Sequence, residues 1–157
     1  MTAVRVGQGF DVHPWSDDPR PLVLGGVVLE SGRGLAGHSD ADVVAHAIAD
    51  ALLGAAGLGD IGSHFPDTDS RWRGADSLTL LGHVIGLVRD AGWAVGNVDT
   101  TVILEAPRLA PHKAAMEKRL GDVVGAQVSV KAKRAEGLGA LGRGEGIACF
   151  AVALLQR

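Results

Sequence analysis

The sequence predicts a single domain of the α+β class, with a mixed four-stranded sheet and helices on one face of that sheet. Strand-like and helix-like segments follow one another in the order β-ββ-α-α-β-α-β-β. Apolar residues make up 46% of the 157 residues and charged residues 21%, which is typical of a globular domain. The length predicts that residues 1–157 form one domain.

The first part of the chain contains a strand and a hairpin. Residues 4–10 alternate between apolar and other side chains, so we expect a strand with Val4, Val6 and Phe10 facing the core. Residues 21–30 contain two short Val/Leu runs on either side of a Gly-Gly pair, which predicts a β-hairpin.

The first helix is predicted over residues 41–57. Val44, Ile48 and Leu52 recur at helical spacing and form its apolar face. Ser39, followed three residues later by an aspartate, resembles a capping box and is expected to cap this helix.

The remaining elements follow from the same patterns. We expect a loop over 57–74, a helix over 76–90, a strand over 97–105, a helix over 111–124 and strands over 127–133 and 146–155. The last strand is apolar on both faces, so it should be central in the sheet or covered by a partner subunit.

Charge and composition exclude several classes of partner. The net charge is -3 and there is no polybasic stretch, so we expect neither nucleic acid nor a membrane surface as a partner. The longest apolar run, residues 147–155, is too short to span a bilayer. A single cysteine, Cys149, and a first segment unlike a secretory signal predict a reduced, cytoplasmic location.

Asp11 and His13 are candidate metal ligands because side chains at i and i+2 of a strand point to the same face. On the predicted helix, Asp42, His46 and Asp50 share one polar stripe. His46 added to the Asp-x-His pair gives three ligands, the pattern of a catalytic zinc site with an open fourth position. Alternatively, Asp-x-His before a proline ends a strand in a turn, and His46 is a solvated helix residue. Spacing leaves both interpretations open.

Three polar segments are candidate binding loops. HSDAD (38–42) offers N–H groups at a helix N-terminus that suit a phosphate, or it serves only to cap the helix. GDIGSHFPDTD (59–69) is either a pocket wall or a solvated loop. The glycine-rich segment 132–146 carries Lys133 and Arg134, which suits phosphate groups, or it is a flexible loop.

Taken together, the motifs GFDVH, GHSDADVVAHAIADALLGAAGLGDIG, HFPDTD and GRGEGIACFAVALL closely resemble the 2-C-methyl-D-erythritol 2,4-cyclodiphosphate synthases. The resemblance covers nearly the whole chain. It implies a phosphorus-oxygen lyase of non-mevalonate isoprene biosynthesis. Its substrate would be a nucleotide-linked sugar-alcohol phosphate, 4-diphosphocytidyl-2-C-methyl-D-erythritol 2-phosphate, converted to the cyclic diphosphate with release of CMP. It also implies a homotrimer with active sites at subunit interfaces.

The resemblance assigns roles to individual residues. Asp11, His13 and His46 would bind Zn²⁺, and Glu136 would bind Mg²⁺ or Mn²⁺. His38 would stabilise the transition state. Arg134 stands where the family has a threonine that polarises the diphosphate, and a permanently charged guanidinium could act in its place.

Further residues would contact the substrate. By the same resemblance these are Ser39, Asp60, Ile61, Gly62, Phe65, Asp67, Asp69, Leu104, Arg108, Leu109, Ala110, Lys133 and Arg143. Arg143 would lie near the trimer axis, where the family can bind an isoprenoid diphosphate.

Two other functions compete with this one. A zinc phosphohydrolase using the same three ligands would release inorganic phosphate instead of CMP. A non-catalytic trimer that binds isoprenoid diphosphates would hold zinc without turnover, with the altered Lys133-Arg134 loop as the cause.

Overall fold

The computed structural model describes residues 2–157 and contains one main sheet, a small hairpin sheet and helices. The strands are β1 (Val4–Pro14), β2 (Leu22–Leu24), β3 (Val27–Leu29), β4 (Ala94–Ile103), β5 (Gln127–Lys133) and β6 (Gly146–Gln156). The helices are α1 (Val43–Ala56), α2 (Ile61–His64), α3 (Ser77–Asp90), α4 (Lys113–Val124) and α5 (Gly139–Gly142). The predicted order of strands and long helices is confirmed.

The main sheet has the strand order β1-β6-β4-β5. β6 pairs antiparallel with β1 and β4, and β4 pairs parallel with β5, so the sheet is mixed as predicted. The last strand is central, which explains its apolar composition. Its side chains Ile147, Cys149 and Ala151 are buried under the helices.

Helix α1 lies directly on β1, and two glycines make this possible. A Cβ atom added to Gly7 would lie 2.0 Å from the Ala51 carbonyl oxygen, and one added to Gly9 would lie 1.9 Å from that of Ala47. Both distances are far below van der Waals contact. The helix-facing side of β1 therefore requires glycine at these two positions.

The expectation that Val4, Val6 and Phe10 face the core is wrong for the single chain. Their side chains lie on the opposite side of the sheet and are 60%, 65% and 45% exposed. Strand periodicity shows which residues share a face, but it does not show which face meets the helices. The alternate positions of β1 hold the glycines on which α1 packs, so the apolar side chains point away from it.

Asp42 caps α1, not Ser39 as expected. Its carboxylate accepts hydrogen bonds from the backbone N–H groups of Gly25 (2.9 Å) and Gly26 (2.7 Å) and from two N–H groups of the first helical turn. Both glycines have positive φ, as a two-residue hairpin turn requires. One buried carboxylate thus joins the β2–β3 hairpin to the helix, while the Ser39 hydroxyl lies within 3.1 Å of His46 Nε2.

The other differences from the sequence expectations are local. β1 continues four residues beyond the predicted end because its pairing with β6 continues to Pro14. The expected loop 57–74 contains α2 and a 3₁₀ turn at Ser70–Trp72. None of the helices formed by residues 2–157 has the length and apolar character needed to cross a membrane.

Candidate active site

Three side chains of the types that bind metals lie close together where the C-terminal end of β1 passes the start of α1. Asp11 and His13 share one face of β1, and His46 projects from the second turn of α1 toward them. The Asp11 Oδ2 atom lies 3.0 Å from His13 Nε2 and 2.9 Å from His46 Nδ1. One ligand atom from each residue lies within 4.8 Å of the other two, so the cluster can hold a metal ion. The predicted convergence of these three residues is confirmed.

Hydrogen bonds on the far side of each ring fix which nitrogen faces the cluster. The Nδ1 atom of His13 lies 2.7 Å from the Ala36 carbonyl oxygen, so Nδ1–H donates there and Nε2 is left as the ligand atom. His46 is arranged the opposite way. Its Nδ1 faces Asp11, and its Nε2–H donates to the Ser77 hydroxyl at 2.9 Å.

Asp11 and His13 stabilise each other's charged form. Burial alone would raise the pKa of Asp11, but hydrogen bonds from His13 and His46 outweigh burial and lower that pKa to about 2. Burial opposes the charged form of His13 as well, yet the Asp11 carboxylate raises the pKa of His13 above its ordinary value. Because a metal binds the neutral imidazole, protons compete more strongly for His13 as the pH falls.

The three polar residues that share one face of α1 have different roles. Of Asp42, His46 and Asp50, only His46 joins the cluster, because Asp42 caps α1. Asp50 accepts a hydrogen bond from the Ile61 backbone N–H at 2.7 Å and so holds the start of α2.

Ser77 and Asp40 support His46, and the sequence patterns did not single them out. Ser77 is 1% exposed, and its hydroxyl donates to the Asp40 carboxylate. That carboxylate also accepts the Ser77 backbone N–H at 3.1 Å. The chain from imidazole to hydroxyl to carboxylate orients the ring and increases the basicity of its Nδ1. The contact joins the start of α3 to α1 across 31 residues, which local spacing does not reveal.

Replacing Ser77 by alanine is therefore expected to weaken metal binding by about 10- to 100-fold without unfolding the protein. The substitution removes the nearer of the two hydroxyls at His46 Nε2, leaving that of Ser39 at 3.1 Å, and keeps the backbone N–H bonded to Asp40. Competition with a chromophoric chelator measures the affinity. Thr79→Ala is the matched control on α3, because the Thr79 hydroxyl bonds to Asp76 and not to the cluster. Equal affinities in the two variants would contradict the support role.

A cavity of about 320 Å³ adjoins the cluster. Besides His13 and His46, its lining contains several predicted binding residues together with apolar side chains: Gly37, His38, Ser39, Ile61, Phe65, Asp67, Trp72 and Leu80. The Trp72 indole N–H is buried with no hydrogen-bond partner among the described residues. His38 lies beside the cluster, not in it, with its Nε2 3.3 Å from the Asp69 carbonyl oxygen.

A second cavity, of about 390 Å³, lies between the ends of β4 and β5. Its lining contains six residues of the predicted set, Leu104, Arg108, Leu109, Ala110, Lys133 and Arg134, together with Glu105, Pro107 and Ala132. Arg134 is exposed, and its Nε lies 3.7 Å from Glu105. Glu105 also accepts the Ala135 backbone N–H at 2.9 Å. The two cavities share no lining residue, so the described chain does not bring Arg134 to the cluster.

The other predicted residues lie outside both cavities. Asp60 caps α2, and two hydrogen bonds from Ser63 lower its pKa. The Asp69 side chain pairs with Arg71. Gly62 is exposed, and Arg143 pairs with Glu145 at 2.6 Å. Glu136 is exposed and adopts a φ of 55°, a conformation that non-glycine residues rarely take outside functional sites and turns.

Fold and cluster together define an α+β protein with a set of nitrogen and oxygen ligand atoms that can hold a metal ion, beside a cavity. The sequence profile of the YgbB family matches residues 4–156. The chain is 54% identical over 160 residues to a Synechococcus elongatus protein named 2-C-methyl-D-erythritol 2,4-cyclodiphosphate synthase, and the alignment covers 100% of this chain and 99% of that one. This chain belongs to the YgbB family.

Solved structures agree with the assignment to this family. The bifunctional IspDF from Campylobacter jejuni superimposes with a TM-score of 0.95 at 40% identity over 99% of this chain, which spans 43% of that longer chain. A Plasmodium falciparum IspF structure described as a CDP complex superimposes with a TM-score of 0.84 at 35% identity, covering 98% of this chain and 96% of that one.

Proposed function

We propose that this protein converts 4-diphosphocytidyl-2-C-methyl-D-erythritol 2-phosphate to 2-C-methyl-D-erythritol 2,4-cyclodiphosphate and CMP, as a phosphorus-oxygen lyase formed by residues 1–157. Relatives with that synthase name match it at 54–58% identity over almost its whole length. The observation that carries the proposal is the convergence of Asp11, His13 and His46 beside a cavity lined by His38 and Ser39. The assay that tests it is phosphorus NMR of the product mixture.

The residues present fit a zinc ion. One carboxylate and two imidazoles, each ring oriented by a hydrogen bond on its far side, form a three-ligand set with room for a fourth ligand from the cavity. Zinc supplies Lewis-acid polarisation of a phosphate oxygen. Glu136, with its constrained backbone, is the residue we assign to Mg²⁺ or Mn²⁺.

The chain's own residues have a positioning role in this reaction. The attacking group is already a phosphate anion, so no general base is needed. His38 and Ser39 line the cavity where a phosphate would meet the cluster. Holding the two reacting ends together can contribute up to ~7–11 kcal/mol of barrier lowering in favourable cases.

The nucleotide would occupy the second cavity. Leu104, Leu109 and Ala110 supply apolar walls, and Lys133 and Arg134 supply positive charge for the diphosphate. A solved relative is described as a CDP complex, which agrees with a cytidine diphosphate group at such a site.

A homotrimer would bring the two cavities together across a subunit interface. The side of the sheet away from the helices exposes a mainly apolar surface, here called the outer face: Val4, Val6, Phe10, Val12, Phe150 and Val152, with Gln8 among them. The rings of Phe10 and Phe150, which are paired across β1 and β6, have their centroids 4.9 Å apart. Apolar surfaces of this kind mark association sites. The possible axial isoprenoid diphosphate near Arg143 stays a prediction.

Val6→Asp is expected to dissociate the trimer and abolish turnover, because a carboxylate on the outer face would be desolvated on assembly. Analytical ultracentrifugation measures the mass. Val28→Asp is the matched control, since Val28 is equally exposed but lies on β3, away from the outer face. A Val6→Asp protein that remains a trimer would contradict this interface.

A further inference from the structure

Arg20 holds the segment that carries His38 and Ser39. It lies between β1 and β2, and none of the sequence motifs assigns it a role. Its guanidinium donates from Nη1 to the Gly37 carbonyl oxygen at 3.0 Å and from Nη2 to the Ser39 carbonyl oxygen at 2.6 Å. We infer that Arg20 is a positioning residue that orients residues 36–39, here called the binding turn, toward the phosphate groups of the substrate.

All four carbonyl groups of the binding turn accept hydrogen bonds. The first accepts from the His13 ring at 2.7 Å, the second and fourth accept from Arg20, and the third accepts from the Gly74 backbone N–H at 2.8 Å. Arg20 therefore supplies two of these four carbonyl contacts, and the one at Gly37 fixes the peptide plane that carries the N–H of His38. Because each peptide plane has its N–H opposite its C=O, fixing the carbonyls also fixes the direction of the amides.

The N–H groups of residues 37–39 donate no hydrogen bond within the described chain. Successive free amides of this kind bind anionic oxygens, and the residues that carry them line the cavity beside the metal cluster. The turn is also packed tightly. A Cβ atom added to Gly37 would lie 2.9 Å from the Ala41 Cβ and 3.1 Å from the His13 Cε1. The turn is thus held between a metal ligand on one side and Arg20 on the other.

A guanidinium suits this role better than an ammonium. Its planar fork donates to two carbonyls at once, whereas a lysine in the same place has a single ammonium on a flexible stem. Two of the five N–H donors of Arg20 bind the turn, one from each terminal nitrogen, and through these contacts we expect it to act on the substrate by way of the backbone. The inference rests on the proposed function, because it assumes a diphosphate at the binding turn.

The test compares Arg20→Met, Arg20→Lys and Arg33→Met. Arg33→Met is the matched control, because Arg33 lines the same open groove of about 610 Å³ as Arg20 but lies 4.1 Å over the Trp15 ring. Calorimetry measures the affinities of the zinc-loaded proteins for CDP and for CMP, which lacks the second phosphate. Hydrogen exchange of the Gly74 amide, measured without nucleotide, reports the order of the turn independently.

We expect Arg20→Met to weaken CDP binding by about tenfold while CMP binding and zinc content stay unchanged. Exchange of the Gly74 amide should become faster in Arg20→Met, Arg20→Lys should be intermediate, and Arg33→Met should match wild type. Weaker CDP binding with unchanged exchange would contradict the inference, because Arg20 would then contact phosphate directly. Loss of zinc, or CDP binding equal to wild type, would also overturn it. Wild-type protein that prefers CMP to CDP would contradict the proposed function itself.

Discussion

His46→Ala is expected to lose both its zinc and its turnover. In the proposed zinc site His46 would supply one of three ligands, and its Nδ1 lies 2.9 Å from the Asp11 carboxylate that would share the ion. Altering a residue that merely supports a ligand costs about 10- to 100-fold in metal affinity, so removing the ligand itself should cost more than about 100-fold. Metal analysis after dialysis against zinc-free buffer measures the loss, together with CMP release.

The control for His46→Ala is His83→Ala. His83 lies on α3 beside the Trp72 ring and belongs to neither the cluster nor the lining of the cavity. Both variants should keep the far-ultraviolet circular dichroism of wild type. Zinc retained at wild-type affinity in His46→Ala would count decisively against the Asp11, His13 and His46 ligand set.

His38→Ala is expected to keep its zinc and to lose its turnover rate, whereas His46→Ala should lose both. His38 lines the cavity but does not belong to the metal cluster. Removing one well-placed donor to a transition-state oxyanion costs about 3–4 kcal/mol, so we expect kcat to fall about 10²- to 10³-fold. Single-turnover kinetics with metal analysis of the same sample separates the two effects.

His64→Ala is the matched control for that experiment. His64 lies in the neighbouring α2, where its Nε2 is 2.8 Å from the Leu58 carbonyl oxygen, and it does not line the cavity. Its rate should stay close to wild type. If His38→Ala lost zinc as well as rate, or turned over normally, the assignment of His38 to the transition state would be wrong.

The long elements could be predicted because their signals are local. Helix α3 begins after Asp76 and ends near Gly92, as its caps and periodicity indicate. The direction in which β1 faces could not be predicted by the same means. Val6 and Phe10 are typical core residues, and only the close approach of α1 to Gly7 and Gly9 shows that the glycine side is the inner one.

The same distinction between local signals and long-range contacts applies to the candidate site. The Asp-x-His pair follows from strand geometry, since Asp11 and His13 are neighbours on one face. The polar stripe of α1 made His46 a candidate third ligand, but only the resemblance to the family favoured it over a solvated helix residue, because convergence of a strand with a helix is a long-range property. Ser77 and Arg20 act through contacts of 31 and 17–19 residues in sequence separation, and no local pattern predicts such contacts.

Arg134 stands where the resemblance to the family leads us to expect a threonine. In the single chain it lies beside Glu105 at the second cavity, away from the metal cluster. In the proposed trimer this second cavity would have to meet a neighbour's cluster.

Phosphorus NMR of the zinc-loaded protein with 4-diphosphocytidyl-2-C-methyl-D-erythritol 2-phosphate and Mg²⁺ tests the central claim most directly. We predict CMP and a cyclic diphosphate in equal amounts, with no inorganic phosphate. Inorganic phosphate in place of the cyclic product would instead indicate a zinc phosphohydrolase. An unchanged spectrum from zinc-loaded, trimeric protein would contradict catalysis and indicate a binding protein.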